Sequence, residues 1–231
     1  MTKNIKTLKI STLFLGLLFI TSSLFAQTEE LKQDIYVKLT TSYGEMVLKL
    51  YKETPLHSAN FAKLVNEGYF DSLMFHRVIG DFMIQGGDPN SKNATPSTRL
   101  GSGSVGERIP AEFNSALYHK KGALAAARDN NPLKASSSCQ FYIVDGKPID
   151  STQLRSLEQR LGITYTDEQI ATYGEIGGTS FLDMNYTVFG EVVEGLEVID
   201  LIAAVETAPG DRPKEDVRMF MELLPDYKKQ N

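Results

Sequence analysis

Cysteine is nearly missing: Cys139 stands alone among 231 residues. No disulfide can close within the chain, no cysteine is placed to carry a lipid at a new N-terminus, and the fold rests on its core alone. Without a His or acid near it in the pattern, Cys139 reads as a small apolar core residue, not a nucleophile. Histidine is scarce too, and His57, His76 and His119 lie far apart with no paired ligand spacing, so no metal site is expected. Positive charge is in deficit, with 24 Lys and Arg against 29 Asp and Glu and a net charge of −5. Loss of Lys3, Lys6 and Lys9 with a leader would take the charge to about −8. Nucleic acid is therefore disfavoured as a partner. The run from about Ile10 to Phe25 is short for a membrane span and is diluted by Thr21, Ser22 and Ser23. With three lysines ahead of it and Ala26 before Gln27, residues 1–26 read as a secretory signal cleaved after Ala26. Leu24 is large for its place before the cut, which leaves an uncleaved anchor as the alternative.

What remains is ordinary. Hydrophobic residues at 42% and charged residues at 23% give no sign of disorder. Residues 27–231 have the length of a single domain, its barrel spanning about 34–224.

Taken in order, Asp34 to Thr41 alternates, with Ile35, Val37 and Leu39 on one face. After Ser42-Tyr43-Gly44 the alternation resumes with Met46, Leu48 and Leu50 opposite Val47 and Lys49. Two amphipathic strands joined by a turn begin a half-buried antiparallel sheet. Thr54-Pro55 opens a helix, Thr54 as N-cap, with Asn60, Phe61, Leu64 and Val65 at helical spacing and Gly68 at the end. Residues 91–106 form a polar loop holding a literal G-x-G-x-x-G at Gly101, Gly103 and Gly106. A dinucleotide site needs a strand before that pattern and a helix after it; Pro96-Ser97 and Pro110 stand there instead, so a flexible glycine loop is expected. Further strands fall at 123–127, 140–144, 187–193 and about 217–224. A second helix runs from Gly195 to about Val205 on a stripe of Leu196, Ile199, Ile202 and Ala203. Many short strands with two helices predict a mainly β fold, a closed antiparallel barrel whose closure removes exposed edges.

Phe75 to Asp88 is chemically unusual. Two short apolar runs, Phe75 to Ile79 and Phe82 to Gln85, are separated by Gly80-Asp81 and closed by Gly86-Gly87, the pattern of a tight hairpin. Met83 and Gln85 share one face, Phe82 and Ile84 the other unless the turn twists Phe82 round. A strand pair that carries Arg, Met and Gln toward one side is a poor core and a plausible site.

This hairpin resembles the signature of the cyclophilin-type peptidyl-prolyl isomerases, in the form exported by bacteria. Gly44, Asn60-Phe61, 139–143 and 186–190 fall where that family has its other landmarks. The resemblance implies eight strands closed into a barrel with a helix at each end, ligands bound on the outside, and isomerisation of X-Pro bonds in exported, most simply periplasmic, proteins. It implies Arg77 as the catalytic residue, a proline pocket of Phe82, Met83, Tyr142 and Leu182, and Gln85, Ala127, Arg128, Phe181 and Tyr186 around it, with His76 beside Arg77. No cofactor is implied. The partners are proline-containing polypeptides, with no stable membrane insertion after cleavage, and the chain is expected to be a monomer. Arginines are usually surface salt-bridge partners, and Phe82, Met83 and Leu182 read as ordinary core by spacing alone; the resemblance reverses both. A chaperone or scaffold that holds proline segments with little isomerase activity is the rival reading.

Several positions depart from the best-known eukaryotic members. Tyr142 stands for a Phe and adds a hydroxyl at the pocket, Phe181 stands where a Trp aids cyclosporin binding, Tyr186 stands for a His, and Arg128 for an Asn. Strong cyclosporin sensitivity is therefore not among what the resemblance implies. Residues 145–180 replace a short connection with a helical insertion. Asp150 or Ser151 can cap a helix bearing Leu154, Leu157 and Leu161 and ended by Gly162, and Thr166 to Gln169 is a capping box for a second. The insertion is either a stabilising ornament or an element of substrate or partner choice.

Overall fold

The computed structural model describes residues 31–228. The leader read in residues 1–26 lies outside the described residues. Among the described residues, no helix is long and apolar enough to cross a membrane.

Eight strands form one antiparallel sheet: β1 (Ile35–Thr41), β2 (Gly44–Leu50), β3 (Arg77–Ile79), β4 (Met83–Gly86), β5 (Ala123–Ala126), β6 (Phe141–Val144), β7 (Val188–Glu194) and β8 (Phe220–Leu223). Their order is β3-β4-β6-β5-β7-β2-β1-β8. The expected barrel is present as a curled sheet whose ladder does not close. The two end strands, β3 and β8, are not paired as regular strands. Between them lies an irregular seam in which Ser72, Phe75 and Val78 donate to the carbonyls of Met219, Val217 and Asp211, and Met219 to that of Leu73, at 2.8–2.9 Å. Ser72 and Asp211 both have positive φ, 68° and 65°, and such residues interrupt a strand's regular pairing. The final strand is correspondingly shorter than the expected 217–224.

The side-chain alternation of the strands decides what the curl encloses. Val37 and Leu39 of β1 and Met46, Leu48 and Leu50 of β2 are fully buried, as are Ile84, Leu124 and Ile143, and with Phe141 and Phe189 they form the main core. Each such side chain contributes roughly 1.5–3 kcal/mol of burial. Two helices cover this core. α1 (Pro55–Asn66) brings Phe61, Leu64 and Val65 onto β1, β7 and β8, and a later helix (Glu197–Ala203) brings Val198, Ile199 and Ile202 onto β2, β3 and β4. The cap of α1 differs from expectation. The Thr54 hydroxyl makes no bond to the helix's free N–H groups and bonds instead to Tyr51 O and Ser58 Oγ. The free N–H groups of Leu56 and His57 donate to the Glu112 carboxylate at 3.0 and 2.9 Å, and His57 Nδ1 lies 2.6 Å from the same group. Those bonds outweigh burial and hold the Glu112 pKa below the usual carboxylate range.

The insertion contributes α2 (Ser151–Leu161) and α3 (Asp167–Glu175), so the helix that follows β7 is α4. Asp150 caps α2 by accepting from Thr152 N, Gly162 ends it at φ 67°, and Thr166 with Gln169 forms the reciprocal capping box of α3. Leu154, Tyr165 and Tyr173 make a small core of their own beside the sheet.

Candidate active site

The hairpin β3–β4 places the first site residues by register. Arg77 pairs with Gln85, Val78 with Ile84 and Ile79 with Met83. Val78 and Ile84 point into the main core, so Arg77, Gln85 and Met83 must face outward. On the next strand, Tyr142 pairs with Gln85 and with Ala125 of β5, which extends this outer face across four strands. The turn carries Asp81 at φ 62° and swings Phe82 round to join Met83, the exception allowed for in the alternation.

A cavity of about 120 Å³ opens on this face, lined by Arg77, Phe82, Met83, Gln85, Ala127, Arg128, Tyr142, Leu182 and Tyr186. An apolar cavity of roughly 150 Å³ holds a benzene molecule, so the space takes a five-membered ring. Arg77 stands at its polar side. Its Nε donates to Asp211 Oδ2 at 3.3 Å and its Nη1 lies 3.5 Å from Gln85 Oε1. The guanidinium is thus held at Nε and Nη1 and remains about 41% exposed. The opposite wall is apolar, with Met83 and Tyr142 buried and Phe82 and Leu182 half-buried. The Tyr142 hydroxyl does not stand free in the cavity: it lies 3.0 Å from His119 Nε2, behind the wall, and burial pushes its pKa well above the usual phenol range. Arg128 is spent locally. Its guanidinium lies 4.5 Å over the Tyr186 ring and its Nε donates to Asn185 O.

Two of the residues implied by resemblance lie outside the cavity lining. Phe181 is about 50% exposed and stacks on Phe82 with centroids 5.8 Å apart, at the rim. His76 is buried, and neither ring nitrogen has a hydrogen-bond partner among the described residues. Burial lowers its pKa to about 4, with the Asp88 carboxylate opposing and the Arg77 charge reinforcing the fall.

The glycine loop departs from expectation. Asp88, fully buried, accepts from Gly101 N and Gly103 N, and Gln140 Nε2 donates to Gly101 O at 3.1 Å and Gly103 O at 2.7 Å. A side chain at Gly103 would collide with Asp88, which is why the loop can lie so close. The loop is anchored, and with Gln85, Arg128 and Gln140 it walls a second cavity of about 370 Å³ next to the first. Gln140 connects the two, because it also accepts from Gln85 Nε2 at 3.2 Å. Alternation in β6 could have found Gln140, which shares its face with Tyr142. Nothing local pointed to Asp88, His119 or Asp211.

The chain's similarity to known proteins agrees with this geometry. The family described as cyclophilin type peptidyl-prolyl cis-trans isomerase/CLD matches residues 36–221. A proposed bifunctional phosphatase/peptidyl-prolyl cis-trans isomerase of Streptococcus pyogenes is 40% identical over 78% of this chain, which spans only 37% of that protein. A proposed peptidyl-prolyl cis-trans isomerase of Staphylococcus aureus is 35% identical, over 80% of this chain and 88% of its own length. Among solved structures, a Cryptosporidium parvum cyclophilin type isomerase shares the fold with a TM-score of 0.61 at 21% identity, covering 84% of this chain and 100% of its own. It was also solved in the presence of the dipeptide Ala-Pro, and that structure matches at a TM-score of 0.59 and 20% identity, over 81% of this chain and 98% of its own. Matched along most of its length, the chain belongs to the cyclophilin type peptidyl-prolyl cis-trans isomerase family.

Proposed function

We propose that this isomerase turns X-Pro bonds without covalent chemistry, Arg77 acting on a proline seated in the outer-face cavity. The uncatalysed rotation crosses a barrier of roughly 18–20 kcal/mol because resonance draws the nitrogen lone pair into the C–N bond. Raising about 10⁻² s⁻¹ to about 10³ s⁻¹ means lowering that barrier by roughly 7 kcal/mol. Arg77 donates toward the proline nitrogen and the preceding carbonyl, which favours a localised lone pair, and its guanidinium stays charged at any working pH. One charged hydrogen bond nets about 1.5–3 kcal/mol, so Arg77 alone falls short. The apolar wall of Phe82, Met83, Tyr142 and Leu182 supplies the rest by fitting the twisted bond better than either planar form. Gln85, Ala127, Arg128 and Tyr186 flank the substrate chain, Phe181 borders the entrance, and His76 backs Arg77 as a neutral ring.

The observation that carries this reading is the Arg77 guanidinium facing the apolar wall of a ring-sized cavity. Isomerisation of a short X-Pro peptide, followed by exchange spectroscopy, tests it. Arg77→Ala is expected to lose at least about a hundredfold in kcat/KM while remaining folded; an unchanged rate would overturn the mechanism.

Export fits the same reading. The apolar run and the three lysines of residues 1–26 support a cleaved leader, with a single, monomeric domain from Gln27 onward acting on proline-containing polypeptides, most simply in a periplasm. Mass analysis of the mature protein should find Gln27 at its start.

A further inference from the structure

The insertion turns polar groups as well as apolar ones toward the sheet. Tyr165 and Tyr173 are buried and pack edge to face, their centroids 5.7 Å apart. Both hydroxyls converge on one carboxylate oxygen, Tyr165 at 2.8 Å and Tyr173 at 2.6 Å from Asp183 Oδ2. The other oxygen of Asp183 lies 2.8 Å from His119 N and 2.7 Å from His119 Nδ1. His119 is fully buried, and its Nε2 meets the Tyr142 hydroxyl at 3.0 Å. A continuous chain of hydrogen bonds therefore runs from the two insertion tyrosines to a wall of the proline cavity. Asp183 also directly follows Leu182, another wall residue, in the single turn Ser180–Leu182 against which α2 packs.

The direction of each bond follows from the chemistry. A carboxylate only accepts, so both phenols and Nδ1 donate to Asp183. Burial, with the Asp183 charge beside them, holds both phenol pKa values above their ordinary range, so the protons stay on oxygen. In the tautomer that carries its hydrogen on Nδ1, the His119 ring accepts at Nε2, and Tyr142 donates to it. Every group of the chain has a partner, and a buried polar network in that condition rigidifies its surroundings. Partners within the insertion would satisfy an ornament; these bonds leave it for Asp183 and reach the cavity wall through His119. A surface for clients would turn such groups outward.

We propose that the insertion is a positioning element for catalysis: Tyr165 and Tyr173, acting through Asp183 and His119, fix the tilt of the Tyr142 ring and so the shape of the proline cavity. A cavity that must fit a twisted bond better than a planar one loses rate when a wall is loose by fractions of an ångström. The insertion then tunes turnover on any X-Pro substrate. It does not select clients. This inference rests on the reading of the cavity as the proline site.

A double-mutant cycle tests it with Arg77 retained throughout. Tyr173→Phe is expected to lower kcat roughly fivefold with KM nearly unchanged, and the same substitution in a Tyr142→Phe background, where no hydroxyl remains to be held, should cost almost nothing more. The His119 ring nitrogen shifts should report hydrogen on Nδ1 in the wild type and in Tyr142→Phe, and a changed pattern in Asp183→Asn. Should Tyr173→Phe fail to fold, Tyr165→Phe, which removes a bond to the same oxygen, carries the identical cycle. A normal rate for the insertion variant, an equal loss in both backgrounds, or a loss confined to a whole-protein folding substrate overturns the proposal. A wild-type chain with no activity on the peptide overturns the cavity reading and this one with it.

Discussion

The two faces of strands β3 to β6 are built from neighbouring residues and serve opposite ends. Val78, Ile84, Phe141 and Ile143 point inward and are at most 2% exposed. Arg77, Gln85 and Tyr142, each one position away from an inward residue, point outward to the cavity. The inner face is uniform in chemistry and specific in volume; the outer face is mixed in chemistry and leaves a space unfilled. A sheet that encloses its core on one side is thereby free to use the other for a site, since rigidity comes from the filled face and selectivity from the open one.

The sharpest way to break this contrast is on the inner face. Phe141 meets Phe61, Phe70 and Phe75 edge to face, and Phe141→Ala should cost about 3–5 kcal/mol of stability in urea unfolding, with rate per folded molecule much less affected. The converse is Arg77→Ala, in which the rate falls by at least about a hundredfold and the unfolding midpoint holds, because the side chain is nearly half exposed. His76 belongs to neither face, and it sharpens the boundary through pH. Burial, opposed by the Asp88 carboxylate and reinforced by the Arg77 and Arg212 charges, takes its pKa from an ordinary 6.5 to about 4 on folding. Between those values the unfolded chain binds the proton and the folded one does not, so stability is lost as pH falls from about 6.5 to 4. Urea unfolding across that window should show the wild type losing on the order of 2 kcal/mol more than His76→Gln; equal slopes would exclude the burial effect. The smallest effect expected is that of Asp211→Asn. The Arg77–Asp211 pair is exposed on both sides, so stability should change by less than about 0.5 kcal/mol. The rate should fall only a few-fold, roughly threefold, if the pair merely orients the guanidinium.

Much of the fold was legible because its signals are local. The alternation of Ile35 to Thr41 and Met46 to Leu50, the Asp150 cap, the Thr166 box and the Gly80-Asp81 turn each depend on a few consecutive residues, and each formed where the spacing placed it. Spacing alone read Phe82, Met83 and Leu182 as core. Resemblance placed nine of eleven named residues around one cavity, and the other two, His76 and Phe181, lie behind it and at its rim. The rest was hidden by sequence distance. Glu112 takes over the work assigned to Thr54 from more than fifty positions away, and Asp88 and Gln140 tie down a loop whose composition reads as flexible.

By itself the sequence determined the elements, the faces of the regularly alternating strands and the membership of the family, because periodicity, caps and motifs are properties of neighbouring residues. Only the tertiary structure decided which distant groups meet: Asp211 on Arg77, the irregular seam in place of a closed ladder, and the Tyr173-Asp183-His119-Tyr142 chain behind the cavity. The physical reason is the hydrogen bond itself. It is specific to about 3 Å in space and indifferent to separation along the chain, so no local pattern announces it.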